Sequence, residues 1–164
     1  MTAFDYDFVS LIVRAKPNPY TYKGNMLILS DTFPAKLGDE FLVTIESTHS
    51  RYPQGVGISE GVEVFGQHAK RAVVWEYFSV HPDSRKDVRS RLPFSFEVSC
   101  RNKSGFLRFY NMVERDGSQL HGYQGMAMIA EDIPGGRRYR CNDWQLNDDF
   151  DDIVFRVETK NAAS

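Results

Sequence analysis

The feature that most constrains the fold is a two-residue alternation of apolar and polar side chains along almost the whole chain. It is clearest in FSFEVSC (residues 94–100), and FLVTIE (residues 41–46) alternates around a β-branched centre. Successive side chains of a strand point to opposite faces of a sheet, so this pattern predicts strands with one buried face. No amphipathic pattern of helical period lasts three turns. The chain is therefore predicted to be all-β.

Turn signals divide the alternating segments into eight to ten short strands. Residues typical of turns, namely Pro, Gly, Asn and Asp, interrupt the apolar pattern at residues 16–25, 102–105 and 116–117. The glycine-rich segment GVGISEG is interpreted as a flexible loop, because no lysine follows its last glycine as in a phosphate loop. The strand spacing of about 8–12 residues is typical of β-sandwiches. We predict one domain, residues 1–164, folded as an antiparallel β-sandwich of jelly-roll type. The apolar segments that carry this prediction are residues 8–13, 26–29, 41–46, 62–65, 72–80, 94–100, 106–113, 123–130 and 153–158, with a short helix in the polar connection 81–93.

Composition excludes several classes of function. The net charge of −2 argues against sequence-independent binding of nucleic acid, which needs a basic surface. No stretch reaches the roughly twenty apolar residues of a membrane span, and the N-terminal residues do not read as a signal peptide. We expect a protein that is cytoplasmic or released without a signal peptide. Cys100 and Cys141 are accordingly predicted to be reduced and partly buried.

Catalytic motifs are weak in this sequence. The four histidines are scattered through predicted loops, and no GxSxG pattern frames a serine. Glu76, Glu97 and the C-terminal acidic residues could supply the carboxylate pair that a glycoside hydrolase needs. A hydrolase is therefore kept as a third possible function, after the two binding roles described below. The prediction is a protein that is not an enzyme.

The most distinctive segment is the acidic region between residues 131 and 158, interpreted as a strand, a long polar loop and a closing strand. Its carboxylates are close enough to repel one another unless water, neighbouring arginines or a hard cation compensates. Calcium takes six to eight oxygen ligands, which such a loop can supply. A solvated acidic loop paired with Arg137, Arg138 and Arg140 remains the alternative. The predicted calcium ligands are Glu131, Asp148, Asp149, Asp151 and Asp152.

The end of the chain also resembles a known family. The segments AEDIP, DFDD and IVFRVE are similar to the C-terminal end of the domains of a bacterial family of unknown function. Domains of that family occur in secreted calcium-dependent adhesins and repeat toxins. The family pattern is E-D-hydrophobic, a polar loop, and D-[FY]-N-D before a strand. Asp151 replaces the usual asparagine here, and the resemblance covers about a sixth of the chain. It implies a calcium-dependent β-sandwich.

A ligand site is predicted beside the acidic residues. A tryptophan ring can stack on the apolar face of a sugar while neighbouring groups bind its hydroxyls, and Trp144 lies between Asp143 and Gln145. We therefore predict a calcium-dependent, carbohydrate-binding, lectin-like or adhesin-like module. The alternative is a protein-interaction role, of toxin, immunity or insecticidal type, in which the acidic loop docks on a protein surface. The sequence is compatible with a homo-oligomer.

Overall fold

The computed structural model describes residues 3–76 and 92–160. They form a 3-10 helix (Ala3–Tyr6), one α-helix, α1 (Phe8–Ala15), and twelve strands. This confirms the all-β prediction, and no helix in these two ranges is long and apolar enough to cross a membrane. The strands are β1 (Tyr20–Tyr22), β2 (Asn25–Leu27), β3 (Asp31–Pro34), β4 (Glu40–Thr48), β5 (Gln54–Val64), β6 (Gln67–Trp75), β7 (Phe94–Cys100), β8 (Phe106–Arg115), β9 (Ser118–Leu120), β10 (Met128–Ile133), β11 (Gly136–Cys141) and β12 (Ile153–Thr159).

Ten of these strands form one antiparallel sheet, and β1 and β2 form a separate hairpin. The order in the large sheet is β10-β11-β12-β4-β7-β5-β8-β3, with β6 paired to β5 and β9 to β8. Several neighbours are far apart in sequence, such as β12 and β4, as in Greek-key and jelly-roll folds. The main apolar cluster includes Val43, Phe96, Phe109 and Phe155, each at most 3 % exposed, from β4, β7, β8 and β12.

The first apolar segment is helical, which corrects the strand pattern read at residues 8–13. Asp7 caps α1, because its Oδ1 accepts a hydrogen bond from the Ser10 backbone N–H at 3.2 Å. Phe8 and Ile12, four residues apart, are buried on one face of the helix. They pack with Leu27, Ile129 and other residues in a second apolar cluster. The helix is only two turns long, so its sequence cannot show an apolar pattern of helical period that lasts three turns.

The glycine-rich segment is not a loop but part of β5, which also corrects the sequence interpretation. Gly55 and Gly57 lie opposite Trp75 and Val73 of β6, and Gly57 pairs with Tyr110 of β8. A Cβ at Gly55 would lie 2.8 Å from the Trp75 ring, and one at Gly57 would overlap the Tyr110 ring. These glycines therefore let aromatic rings lie flat on the strand.

Other boundaries also differ from the prediction. The region expected to be one long polar loop contains β11, which pairs with both β10 and β12. The strand expected at residues 123–130 begins only at Met128, whereas β7 coincides with the predicted residues 94–100. Part of the strand predicted at 72–80, and most of the connection at 81–93, lie outside the described residues. Cys100 and Cys141 are free, buried thiols.

Candidate functional site

The acidic loop, residues 142–152, connects β11 to β12 and is fixed from the inside by Asn142. The Asn142 side chain accepts a hydrogen bond from the Phe150 backbone N–H at 2.9 Å and donates one to the Asn147 carbonyl. Phe150 packs on Phe8 of α1, with 5.5 Å between ring centroids, and is only 4 % exposed. This anchor holds the backbone in the middle of the acidic DDFDD sequence. The aspartates that follow and precede Phe150 are therefore presented from an ordered loop.

Three of the predicted metal ligands come together around this anchor. One carboxylate oxygen from each of Asp149, Asp151 and Asp152 lies within 4.8 Å of the other two. Calcium–oxygen distances of about 2.3–2.6 Å place opposite ligands roughly 4.6–5.2 Å apart, so the three oxygens could contact one ion. Asp149 and Asp151 are exposed and Asp152 is buried. Water could therefore complete the coordination on the outer side.

Asp152 carries the strongest electrostatic perturbation in the loop. Burial raises the pKa of its carboxyl to about 7, and the negative charges of Asp143, Asp151 and Asp149 act in the same direction. A hydrogen bond from the Asp143 backbone N–H at 2.8 Å opposes this rise. The ionised form of Asp152 is thus disfavoured by the protein alone. A bound cation would stabilise it.

The arginines expected to neutralise the acidic loop are engaged elsewhere. Arg137 pairs with Asp31 at 2.8 Å, and Arg138 pairs with Glu46 at 3.1 Å. Arg140 pairs with Glu131. Within the described ranges, none of these arginines forms an ion pair with Asp149, Asp151 or Asp152. These three arginines therefore leave the charge of the triad to be compensated by water or by a cation.

Two further predicted ligands, Glu131 and Asp148, do not join the triad. Glu131 lies directly across the β10–β11 hairpin from Arg138 and is also paired with Arg140. Asp148 accepts hydrogen bonds from the Tyr22 hydroxyl at 2.7 Å and from Lys23 at 3.1 Å. Those contacts lower the pKa of Asp148. Both carboxylates already have protein partners, and Asp148 ties the loop to the β1–β2 hairpin.

The predicted ligand-binding residues lie at the other end of the loop. Asp143 is fully buried, and its carboxylate accepts hydrogen bonds from the Ser50 hydroxyl at 2.7 Å and the Gln145 backbone N–H at 3.0 Å. This geometry turns Asp143 towards the protein and not towards a ligand. Gln145 remains partly exposed. Ser50 and Gln54, which contact Asp143, carry no motif that sequence reasoning could have used.

The Trp144 ring is already partly covered. The Arg115 guanidinium lies 4.1 Å from its centroid, and the Tyr52 ring packs edge-on at 5.2 Å. Beside this stack lies an open cleft of about 350 Å³, lined by Arg115, Asp116, Ser118, Leu120 and Tyr123. Tyr123 is 42 % exposed. A sugar approaching Trp144 would meet Arg115 first, so the exposed aromatic surface here belongs to Tyr123.

The candidate hydrolase carboxylates have separate structural roles. Glu76 is 1 % exposed and accepts a hydrogen bond from the Gln54 backbone N–H at 3.2 Å. Glu97 is exposed on β7 and pairs with Lys160 at 2.7 Å.

Comparison with protein-family models, with curated proteins and with solved structures finds no match for this chain. The similarity to calcium-dependent adhesin domains thus stays a prediction based on the short motif at residues 131–158.

Proposed function

We propose that this chain is a non-enzymatic binding module whose acidic loop holds one calcium ion through Asp149, Asp151 and Asp152. The observation that carries the proposal is the convergence of these three carboxylates within 4.8 Å. Their spacing suits the large radius and flexible coordination of calcium. Magnesium prefers a tighter octahedron and keeps more of its water, so we expect it to bind more weakly.

The neighbouring contacts support a cation at this position. Asp152 is buried with its pKa raised to about 7, and the nearby arginines are paired with other carboxylates. The loop backbone is held by contacts of Asn142 and Phe150 that involve only protein atoms. Ordering of this kind reduces the conformational entropy lost when an ion binds.

Carbohydrate is our proposed ligand class. The cleft beside the Trp144–Arg115 stack combines an exposed tyrosine with an acid and a hydroxyl, and its volume is at the lower end of the usual range for ligand sites. Tyr123 would supply the stacking surface, and Arg115 and Asp116 would bind hydroxyls. Glycan-array binding with and without a chelator tests this class, with Tyr123→Ala as the site variant. Binding that is unaffected by Tyr123→Ala would place any sugar elsewhere.

A protein-interaction role is the second candidate, favoured by the exposure of Asp149 and Asp151. Here the acidic loop would dock on a basic partner without a metal. Salt separates the two candidates, because exposed charge pairs are screened by moderate ionic strength whereas a calcium ion held by several ligands is less affected. A complex with a basic partner that survives a chelator and dissociates in salt would favour this second role.

A further inference from the structure

A different group of polar residues lies on the sheet face opposite the main apolar cluster. Ser59 of β5 pairs directly with Arg71 of β6 on one side and with Arg108 of β8 on the other. Val56 and Ile58 of β5 belong to the main cluster, so Ser59 points to the opposite face. Residues directly opposite one another in a sheet share a face. Two exposed arginines therefore flank the buried Ser59 on one face of the sheet.

The Tyr110 hydroxyl lies next to this pair. Tyr110 follows Arg108 by two positions on β8, and its ring covers Gly57. The residue is only 3 % exposed, and its hydroxyl makes no well-formed hydrogen bond within the described ranges, although the Ser59 hydroxyl is near enough to donate a weak one. Burial raises the pKa of Tyr110, whereas Arg71, Ser59 and Arg108 oppose that rise. Ser59, Arg71 and Arg108 thus all lie near the buried Tyr110 hydroxyl.

His121 borders the same group. Its ring lies 4.4 Å from the Tyr110 ring, and its Nδ1 is 3.3 Å from the Asn111 carbonyl oxygen. Desolvation lowers the pKa of His121, and the charges of Arg71 and Arg108 act in the same direction. Both arginines are therefore close enough to affect the imidazole. Their charges disfavour the protonated form of His121.

Among the described residues, the two arginines differ from those of the acidic region in having no acidic partner. Arg108 contacts the Ser30 hydroxyl at 3.4 Å and the Phe106 ring at 5.9 Å. In the part of the chain that the structure describes, neither Arg71 nor Arg108 forms an ion pair with a carboxylate. Glu60 lines an adjoining cleft of about 220 Å³ together with Arg108, Asn102 and Ser104. The guanidinium groups are thus free to bind an anion from outside.

We propose that Arg71, Arg108 and the Tyr110 hydroxyl form a binding site for an oxyanion group of a ligand. Arginine offers several donors in a planar arrangement that matches the oxygens of phosphate, sulfate or carboxylate. Ser59 lies between the two guanidinium groups and can donate a further hydrogen bond. An oxyanion here would neutralise two like charges on the strands that flank β5, and it could accept a hydrogen bond from the Tyr110 hydroxyl. This site uses none of the proposed calcium ligands.

The test is titration of the chelator-treated protein with inorganic phosphate, sulfate or acetate, each at constant ionic strength against chloride. We expect saturable binding of at least one oxyanion. Binding of phosphate and sulfate alone would assign a tetrahedral group, and binding of acetate as well would extend the site to carboxylates. If chloride and all three oxyanions gave the same titration curve, the anions would only screen charge, and the proposal would be overturned.

Variants locate the site. Arg108→Gln should weaken oxyanion binding by about tenfold, since it removes a charged hydrogen bond. Arg71→Gln should do the same. Tyr110→Phe keeps the ring and should weaken binding by a smaller factor. Arg14→Gln, on the exposed side of α1, removes the same charge and should leave binding unchanged. An equal loss in Arg14→Gln and Arg108→Gln would show that only net charge matters and would reject the site.

Discussion

Asp152 accepts a hydrogen bond from the backbone N–H of Asp143 at 2.8 Å in a place where both residues are buried. The bond offsets only part of the free-energy cost of ionising the buried Asp152 beside Asp143, because the pKa of Asp152 is still raised to about 7. The folded protein thus holds the Asp152 proton more tightly than the unfolded chain does. The stability from this group is complete below about pH 4 and is lost as the pH rises through about 7.

Asp152→Asn should therefore stabilise the metal-free protein at alkaline pH. The asparagine carbonyl can still accept the Asp143 N–H, and no charge is buried. The difference between the Asp152 pKa values of the folded protein and the unfolded chain corresponds to about 4 kcal/mol. We take this as the upper limit of the increase in the free energy of unfolding at pH 8. Urea denaturation of both proteins in chelator at pH 5 and pH 8 measures it. Asp132→Asn, at an exposed position that does not act on Asp152, is the control, and an equal Asp152→Asn effect at the two pH values would contradict the assignment.

Tyr22→Phe should loosen the acidic loop, because the Tyr22 hydroxyl donates to Asp148 at 2.7 Å. We expect the free energy of unfolding to fall by about 1 kcal/mol, with Lys23 still paired to Asp148. Denaturant titration checks this value. Tyr123→Phe is the matched control, since that tyrosine is 42 % exposed. A similar loss in both variants would mean that the Tyr22 hydrogen bond contributes nothing specific.

Gly57→Ala should destabilise the sheet by about 1–3 kcal/mol, because its Cβ would overlap the Tyr110 ring. The same change in a Tyr110→Ala background should cost much less. Thermal denaturation of the four proteins completes the double-mutant cycle. Equal costs of Gly57→Ala in both backgrounds would show that the ring is not the cause.

Both cysteines should be protected thiols. Cys100 and Cys141 are each 0 % exposed, and burial raises the pKa of Cys141 well above its ordinary value. A thiol reagent should react slowly with the native protein and should find two thiols in unreduced, denatured protein. Rapid reaction in the native state would contradict the burial, and one or no thiol after denaturation would show oxidation.

The fold class was predictable because alternation is a local signal. The segment FSFEVSC alternates without interruption and forms β7 over the predicted residues. Helix α1 was missed because two turns carry too little periodicity, and its capping by Asp7 is visible only once the helix is known. In β5 the glycines resembled loop residues, since the rings of Trp75 and Tyr110 that require them lie on other strands.

The candidate site was predictable only in part. The density of aspartates around Phe150 marks the loop in the sequence, and three of the five predicted ligands do converge. The pairing of Glu131 with Arg138 depends on the register of the β10–β11 hairpin, and that of Asp148 depends on the distant Tyr22. Such contacts between remote segments leave no local pattern.

The most direct test of the calcium proposal is isothermal titration calorimetry of calcium into chelator-treated protein at pH 8, where Asp152 is ionised. We predict saturable binding of one ion, weaker binding below pH 7 as Asp152 takes up its proton, and loss of binding in the Asp149→Asn, Asp151→Asn double variant. Glu131→Gln should bind as the unaltered protein does, because Glu131 lies outside the triad. A flat titration of the unaltered protein at pH 8, or undiminished binding in the double variant, would contradict calcium binding by this loop.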